Sequence, residues 1–273
     1  MAADIVPDLL DRIMSEFDTG VNNSKVIKEI SDLINAGTAD YKTATRYATE
    51  IGQILSGVLK ENITASTMPD SHMYYNIENR IMQSTLSRDH AMVADVTAHI
   101  QAILNNSAKI GIKPIKPPVN QSRIKGFVER LANEPVVDDV AWILDEPIVN
   151  YSQSVVNEVM EANADFHMEA GMEPTIERRM VSDTCDWCKS LVGVYKYADV
   201  KRTGHPVFQR HLKCDCDVVY DPGDGKRINV HTKEIAGSEA DRIGQEKIRD
   251  RRIREAELAA ERRKAARLKK LRN

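Results

Sequence analysis

The chain has 273 residues, 42% of them apolar and 29% charged, which is enough to bury a core as one large domain or two modest ones. The apolar set is aliphatic, with only two Trp and four Phe, a composition that favours helices over a β-sandwich. The net charge of -3 hides an asymmetry: residues 242–273 carry 13 basic and 5 acidic side chains, a balance of +8, so the remainder carries -11. An acidic body with a basic tail points to an anionic target or an acidic partner surface for the tail. No window reaches the roughly 18 consecutive apolar residues of a membrane span, and the N-terminus has neither a basic n-region nor an apolar h-region.

Along the chain, helical periodicity comes first. Residues 4–17 place Ile5, Leu9, Ile13 and Phe17 at four-residue steps. The run from Lys25 carries Val26, Ile27, Ile30, Leu33 and Ile34, and residues 39–62 continue with Tyr47, Ile51, Ile54, Leu55 and Val58. Asp70 is the expected cap of the next and longest helix, whose face holds Met82, Leu86, Val93, Val96, Ile100 and Ile103. His72, His90 and His99 fall at unequal steps on that helix and read as surface residues.

Residues 105–122, with three Pro, break the pattern and read as a Pro-rich linker or surface arm between helical regions at 1–104 and 123–172. The second of these is interrupted at Pro135 and Pro147. Its last helix has a stripe of Val155, Val159, Ala162 and Phe166, and Glu158, Glu161 and Asp165 read as a solvated face.

After Gly171 the texture changes. Three short β-rich runs, 175–182, 192–197 and 216–221, are divided by turn signals at Asp183-Thr184, Gly204-His205-Pro206 and Pro222-Gly223-Asp224-Gly225. They define a small β-unit, 173–233, with little apolar core of its own. Residues 234–273 are polar almost all round and read as a basic C-terminal helix or tail. The expected fold class is therefore mainly α (α+β): a helical body, a small β-rich knuckle and a long basic C-terminal helix.

The cysteines sit in the β-unit as Cys185-Asp-Trp-Cys188 and, 25 residues later, Cys214-Asp-Cys216, with His211 just before. Zinc takes thiolate and imidazole in a tetrahedron; a CxxC turn offers two thiolates and a distant loop closes the site. Candidate ligands are Cys185, Cys188, His211, Cys214 and Cys216, one more than needed, with His205 a weaker sixth. With no sign of secretion, closely spaced cysteines favour a metal over disulfides. A redox motif would have a helix opening at the CxxC within a βαβ unit, whereas here the strand-like 192–197 follows. Reduced packing thiols are the remaining alternative. A thiolate-rich set reads as a closed, structural zinc site whose metal supplies much of the unit's folding free energy, with Trp187 as a plug over it.

Arg178-Arg179, the Asp183-Thr184-Cys185-x-x-Cys188 turn, Leu191, Gly193 and the closing His211-x-x-Cys214-x-Cys216 resemble the C-terminal part of the minor head proteins of tailed bacteriophages, the phage Mu F-like head-morphogenesis family. The resemblance covers roughly residues 150–222; where the family usually has His-Pro-x-Cys-Arg-Cys, this chain has His211-Leu-Lys-Cys214-Asp-Cys216. It implies a non-enzymatic virion component made in the host bacterial cytoplasm and held in several copies at the portal or inside the capsid. The implied partners are the portal and major capsid proteins, and packaged DNA through the basic tail 242–273. The alternatives read from the residues are a zinc-ribbon protein that binds nucleic acid through that tail, and a metal-dependent nuclease using His205 and His211. No Gly-rich phosphate loop, nucleophile elbow or HExxH motif is present.

Overall fold

The structure is a computed structural model that describes residues 4–180, 186–211, 214 and 216–223. Cys185, the Asp183-Thr184 turn, the 224–233 end of the β-unit and the basic C-terminal helix all lie outside the described residues. The described residues belong to one compact unit, Met1–Gly225.

The helical body follows the apolar periodicity closely. Helix α1 (Val6–Asn23) starts with Pro in its first turn and buries Leu9, Ile13 and Phe17. Helix α2 (Lys25–Asn35) is capped by Ser24, whose hydroxyl accepts from the Ile27 amide. Helix α3 (Tyr41–Asn62) opens on a reciprocal capping box between Asp40 and Thr43. Helix α4 (Tyr75–Ser107) is the longest.

The expected cap of α4 is a correction. Asp70 lies in a short 3-10 turn, Pro69–Ser71, at φ 52°, and α4 begins only at Tyr75 with no side-chain cap. The Asp70 carboxylate instead accepts from the Tyr74 hydroxyl at 3.0 Å. His72 therefore precedes the helix, with Nδ1 2.8 Å from the Glu134 carbonyl. His99 is exposed as expected, but His90 is buried: the α4 face it shares with Leu86 and Val93 is covered.

The Pro-rich arm leaves α4 through Lys109 at φ 57° and runs extended to α5 (Gln121–Ala132), which Asn120 caps. It is not free: the amide and carbonyl of Ile115 both bond the side chain of Asn163 on α6, at 2.9 and 2.8 Å. A 3-10 segment, Val137–Leu144, leads into α6 (Glu146–Glu169), with Pro147 in its first turn. The α6 stripe ends early, since Val155 and Val159 are buried but Phe166 is exposed. The carboxylate face of α6 is partly engaged, because Asp165 takes the Tyr197 hydroxyl and the Lys201 ammonium.

Helices α3 and α6 form the spine of the body. They approach so closely at Gly52 that a Cβ there would stand 2.8 Å from the Val149 Cα and 2.8 Å from the Ser152 hydroxyl. Replacing Gly52 by Ala is expected to destabilise by about 1–3 kcal/mol, because backbone rather than a flexible side-chain tip must yield. A urea titration with the midpoint lowered and the m-value unchanged would establish it.

The three β-rich runs form one antiparallel sheet of order β2-β1-β3, from β1 (Thr175–Arg179), β2 (Gly193–Lys196) and β3 (Asp217–Asp221). Helix α7 (Asp186–Ser190) lies between β1 and β2, and α8 (Tyr197–Thr203) follows β2. The expectation that this unit has little core of its own is corrected in its consequence. Ile176, Tyr197, Val200, Val207, Val218 and Tyr220 belong to the same hydrophobic core as the helices. The Tyr220 ring meets Tyr41 of α3 edge-on at 6.2 Å and stacks on His167 of α6 at 5.8 Å. The sheet is a layer on the helical body, and its apolar residues draw their core from the helices.

Candidate metal centre

The period-2 register of β1 turns Ile176 and Arg178 to the body while Arg179 is exposed. Gly193 and Val218 flank Arg178 on the neighbouring strands. The next residues along the chain bring in the cysteines. The five-residue helix α7 carries Cys188, so a short helix does open at the CxxC, contrary to the direct passage into a strand expected above; the sheet around it is nevertheless antiparallel, not a βαβ unit. The loop from Gly204 to β3 carries His205, His211 and Cys214, and Cys216 immediately precedes β3.

Four of the five predicted ligands are among the described residues, and they converge. The ligand atoms of Cys188, His211 and Cys214 all lie within 4.8 Å of one another, and this group could hold a metal ion. The sulfurs of Cys188 and Cys214 are 3.8 Å apart, the edge of a tetrahedron with Zn–S bonds of about 2.3 Å, which is roughly 3.8 Å. The His211 Nε2 stands 2.9 Å from the Cys188 sulfur, closer than the roughly 3.6 Å edge expected between zinc-bound S and N, so that contact opens slightly around an ion. Cys216 is buried in the same cluster as Cys188 and Cys214, as free thiols. His205 is not in the group; its ring lies 4.3 Å from that of Tyr195, and its Nδ1 is buried without a hydrogen-bond partner.

Side chains from the body fix the loop that presents His211. Asn157 of α6 donates to the Phe208 carbonyl at 2.8 Å and Asn150, two turns earlier, to the His211 carbonyl at 3.1 Å. Arg178 donates through Nη1 to the carbonyls of Val207 and Gln209, both at 2.7 Å. Main-chain groups of 207–209 and 211 are thus caught by side chains of α6 and β1, and the loop is placed before any ion arrives.

The electrostatics are unusual. Arg178 is fully buried, and its Nη2 lies 3.4 Å from the Cys214 sulfur and 3.8 Å from the Cys188 sulfur. Burial, then the hydrogen bond with Cys216, pushes the Cys188 thiol up in the absence of a metal. At Cys214 burial is outweighed by the Cys216 amide and the charges of Arg210 and Arg178, and the thiol is held below its ordinary value. Trp187, expected as a plug, is exposed; its ring lies edge-on to His211 at 5.7 Å with the Arg178 guanidinium 5.5 Å from its centroid. Reading the sequence for ligands alone passes over this function of Arg178. The available signal was alternation: in β1 the arginine shares the face of Ile176.

No protein-family model, curated protein or solved structure matches this chain.

Proposed function

We propose that the Cys188, His211 and Cys214 group, completed by Cys216 or Cys185, holds one structural zinc ion. On this reading the protein is a structural and assembly component of a tailed-phage head, a minor head protein near the portal or inside the capsid. The observation that carries the metal reading is the convergence of two sulfurs at tetrahedral spacing with an imidazole nitrogen beside them, from segments more than 20 residues apart. The phage reading rests on the sequence resemblance. It is supported by the position of Arg178: a residue of the resembling string that is no candidate ligand lies against the cysteine sulfurs.

Such a centre has no catalytic duty. Its ligands tie α7 and the 205–216 loop to the sheet, and the thiolate-rich set leaves no open position for substrate. Metal analysis of the purified full chain is expected to give about one zinc per chain; protein purified under reducing conditions without metal would end this reading. For the biological role, the decisive measurement is the location of the protein in purified particles by labelling and mass spectrometry. Absence from particles of a phage encoding it would refute the head-protein reading.

A second reading is favoured by one observation, the +8 balance of residues 242–273: a zinc-ribbon protein that binds nucleic acid through that tail. It requires salt-sensitive binding of the isolated protein to duplex DNA, falling steeply between low and physiological salt. Binding absent at low salt would eliminate it.

A further inference from the structure

The metal reading leaves one buried group unexplained. Arg178 is an arginine with no exposed surface, on a strand whose neighbours on the same face are apolar. A buried guanidinium without a counter-charge is strongly unfavourable, because it gives up its hydration without recompense. Among the described residues no carboxylate bonds it: its guanidinium meets two backbone carbonyls, the sulfurs of Cys188 and Cys214, and the Trp187 ring. Carbonyls satisfy donors but carry no net charge, so among the described residues the cysteine group is what can supply the counter-charge. A second guanidinium approaches the same group: Arg210 donates to the Cys214 carbonyl at 3.5 Å, and its Nε and Nη2 are buried with no hydrogen-bond partner.

The charge count is then informative. A zinc ion with three thiolates and one imidazole carries one net negative charge, and with four thiolates it carries two. With only cysteine and histidine at hand, a site of two thiolates and two imidazoles would be neutral and one with fewer thiolates cationic, and neither would supply a counter-charge. We propose that Arg178 is a positioning residue that selects and retains a thiolate-rich, net anionic metal centre: its planar fork spans the sulfurs of both halves of the site while anchoring the loop that brings His211. Arg suits this better than Lys, because one delocalised charge with several fixed donors can meet two sulfurs and two carbonyls at once. The proposal rests on the metal reading above and extends it from ligands to the group that sets their charge.

The test uses the full chain with Arg178→Met, which keeps much of the stem and removes the charge, and Arg178→Lys, which keeps the charge and removes the fork. Zinc transfer to a chromophoric chelator is expected to be about 10–100-fold faster from Arg178→Met than from wild type, the usual penalty for losing an outer-shell partner, with Arg178→Lys intermediate. Cobalt substitution separates charge from mere loosening. Without the guanidinium the sulfur electrons are held less tightly, so the thiolate-to-cobalt charge-transfer band moves to longer wavelength in Arg178→Met at unchanged cobalt per chain. A loop that is only loosened loses cobalt without moving the band.

Wild-type release kinetics and band position in a folded Arg178→Met overturn the proposal while leaving the metal reading intact. Wild-type protein that takes up no zinc or cobalt overturns both. If Arg178→Met does not fold, Arg178→Lys decides: release as slow as wild type overturns the role of the fork, and faster release with a shifted band supports it.

Discussion

Stripping the metal, or replacing Cys214 by Ser, is expected to release α7 and the 205–216 loop while leaving the helices and the sheet folded. In isolated zinc fingers the ion supplies essentially all the folding free energy. Here Ile176, Val218 and Tyr220 are already buried against the body, and the strands pair along their length. What an ion bound at this group would add is local. It would join Cys188 on a five-residue helix, too short to be stable alone, to a loop held by one side-chain hydrogen bond each from Asn150 and Asn157 and two from Arg178.

Hydrogen exchange should therefore accelerate at 186–191 and 205–216 on chelation and remain slow in β1, β3, α3 and α6. Loss of a bound metal belongs to the class of changes worth about 4 kcal/mol or more, so the apparent Tm of zinc-loaded wild type should exceed that of Cys214→Ser by roughly 10 °C. Uniform exchange throughout the sheet after chelation would instead show that the metal holds the whole β-layer.

Replacing Glu78 by Met should stabilise the protein by about 3 kcal/mol at neutral pH. Glu78 lies on α4 with no exposed surface, and neither carboxylate oxygen has a partner. Burial raises its pKa from 4.5 to about 9, so the folded state keeps the proton across neutral pH while the unfolded chain gives it up. The folded state then binds more protons than the unfolded one between those two values, and stability falls as pH rises through the window, by about 1.4 kcal/mol per pH unit.

Asp89, also buried, contributes in the same direction up to about 7; burial raises it, and the Ser152 hydroxyl at 2.7 Å partly offsets the rise. Met at position 78 removes the larger contribution and fills the site with apolar volume. Chemical denaturation of wild type and variant between pH 5 and 9 should show curves that diverge as pH rises. Parallel curves would mean that Glu78 is ionised and partnered in the folded protein.

Much of the architecture was legible because helical amphipathicity is a local code. Leu9, Ile13 and Phe17, or Ile51 and Leu55, are one turn apart, and these stripes lie on helices with those residues buried. The three strands were legible for the same reason at period two, with β1, β2 and β3 falling within the runs read from sequence. Cap assignment failed at Asp70 because a polar residue before an apolar run marks a helix start only if the chain enters the helix there. Two left-handed residues, Asp70 and Ser71, turn it aside first. His90 was misplaced because α4 is covered over more of its circumference than a single stripe implies; Glu78 and Asp89 are buried on it as well.

The candidate ligands were determined by the sequence itself, since thiol and imidazole spacing is a chemical signature that survives without coordinates: Cys188, His211 and Cys214 do converge. Only the tertiary structure decided what surrounds them. Whether the sheet has a core depends on α3 and α6, more than 100 residues and about 50 residues upstream of the strand residues they meet. Whether an arginine in a strand faces solvent or sulfur depends on which face of the sheet the body covers. Period-two alternation placed Arg178 beside Ile176; the helices behind that face turned the position into a buried cation, and the sulfurs of Cys188 and Cys214 stand against it.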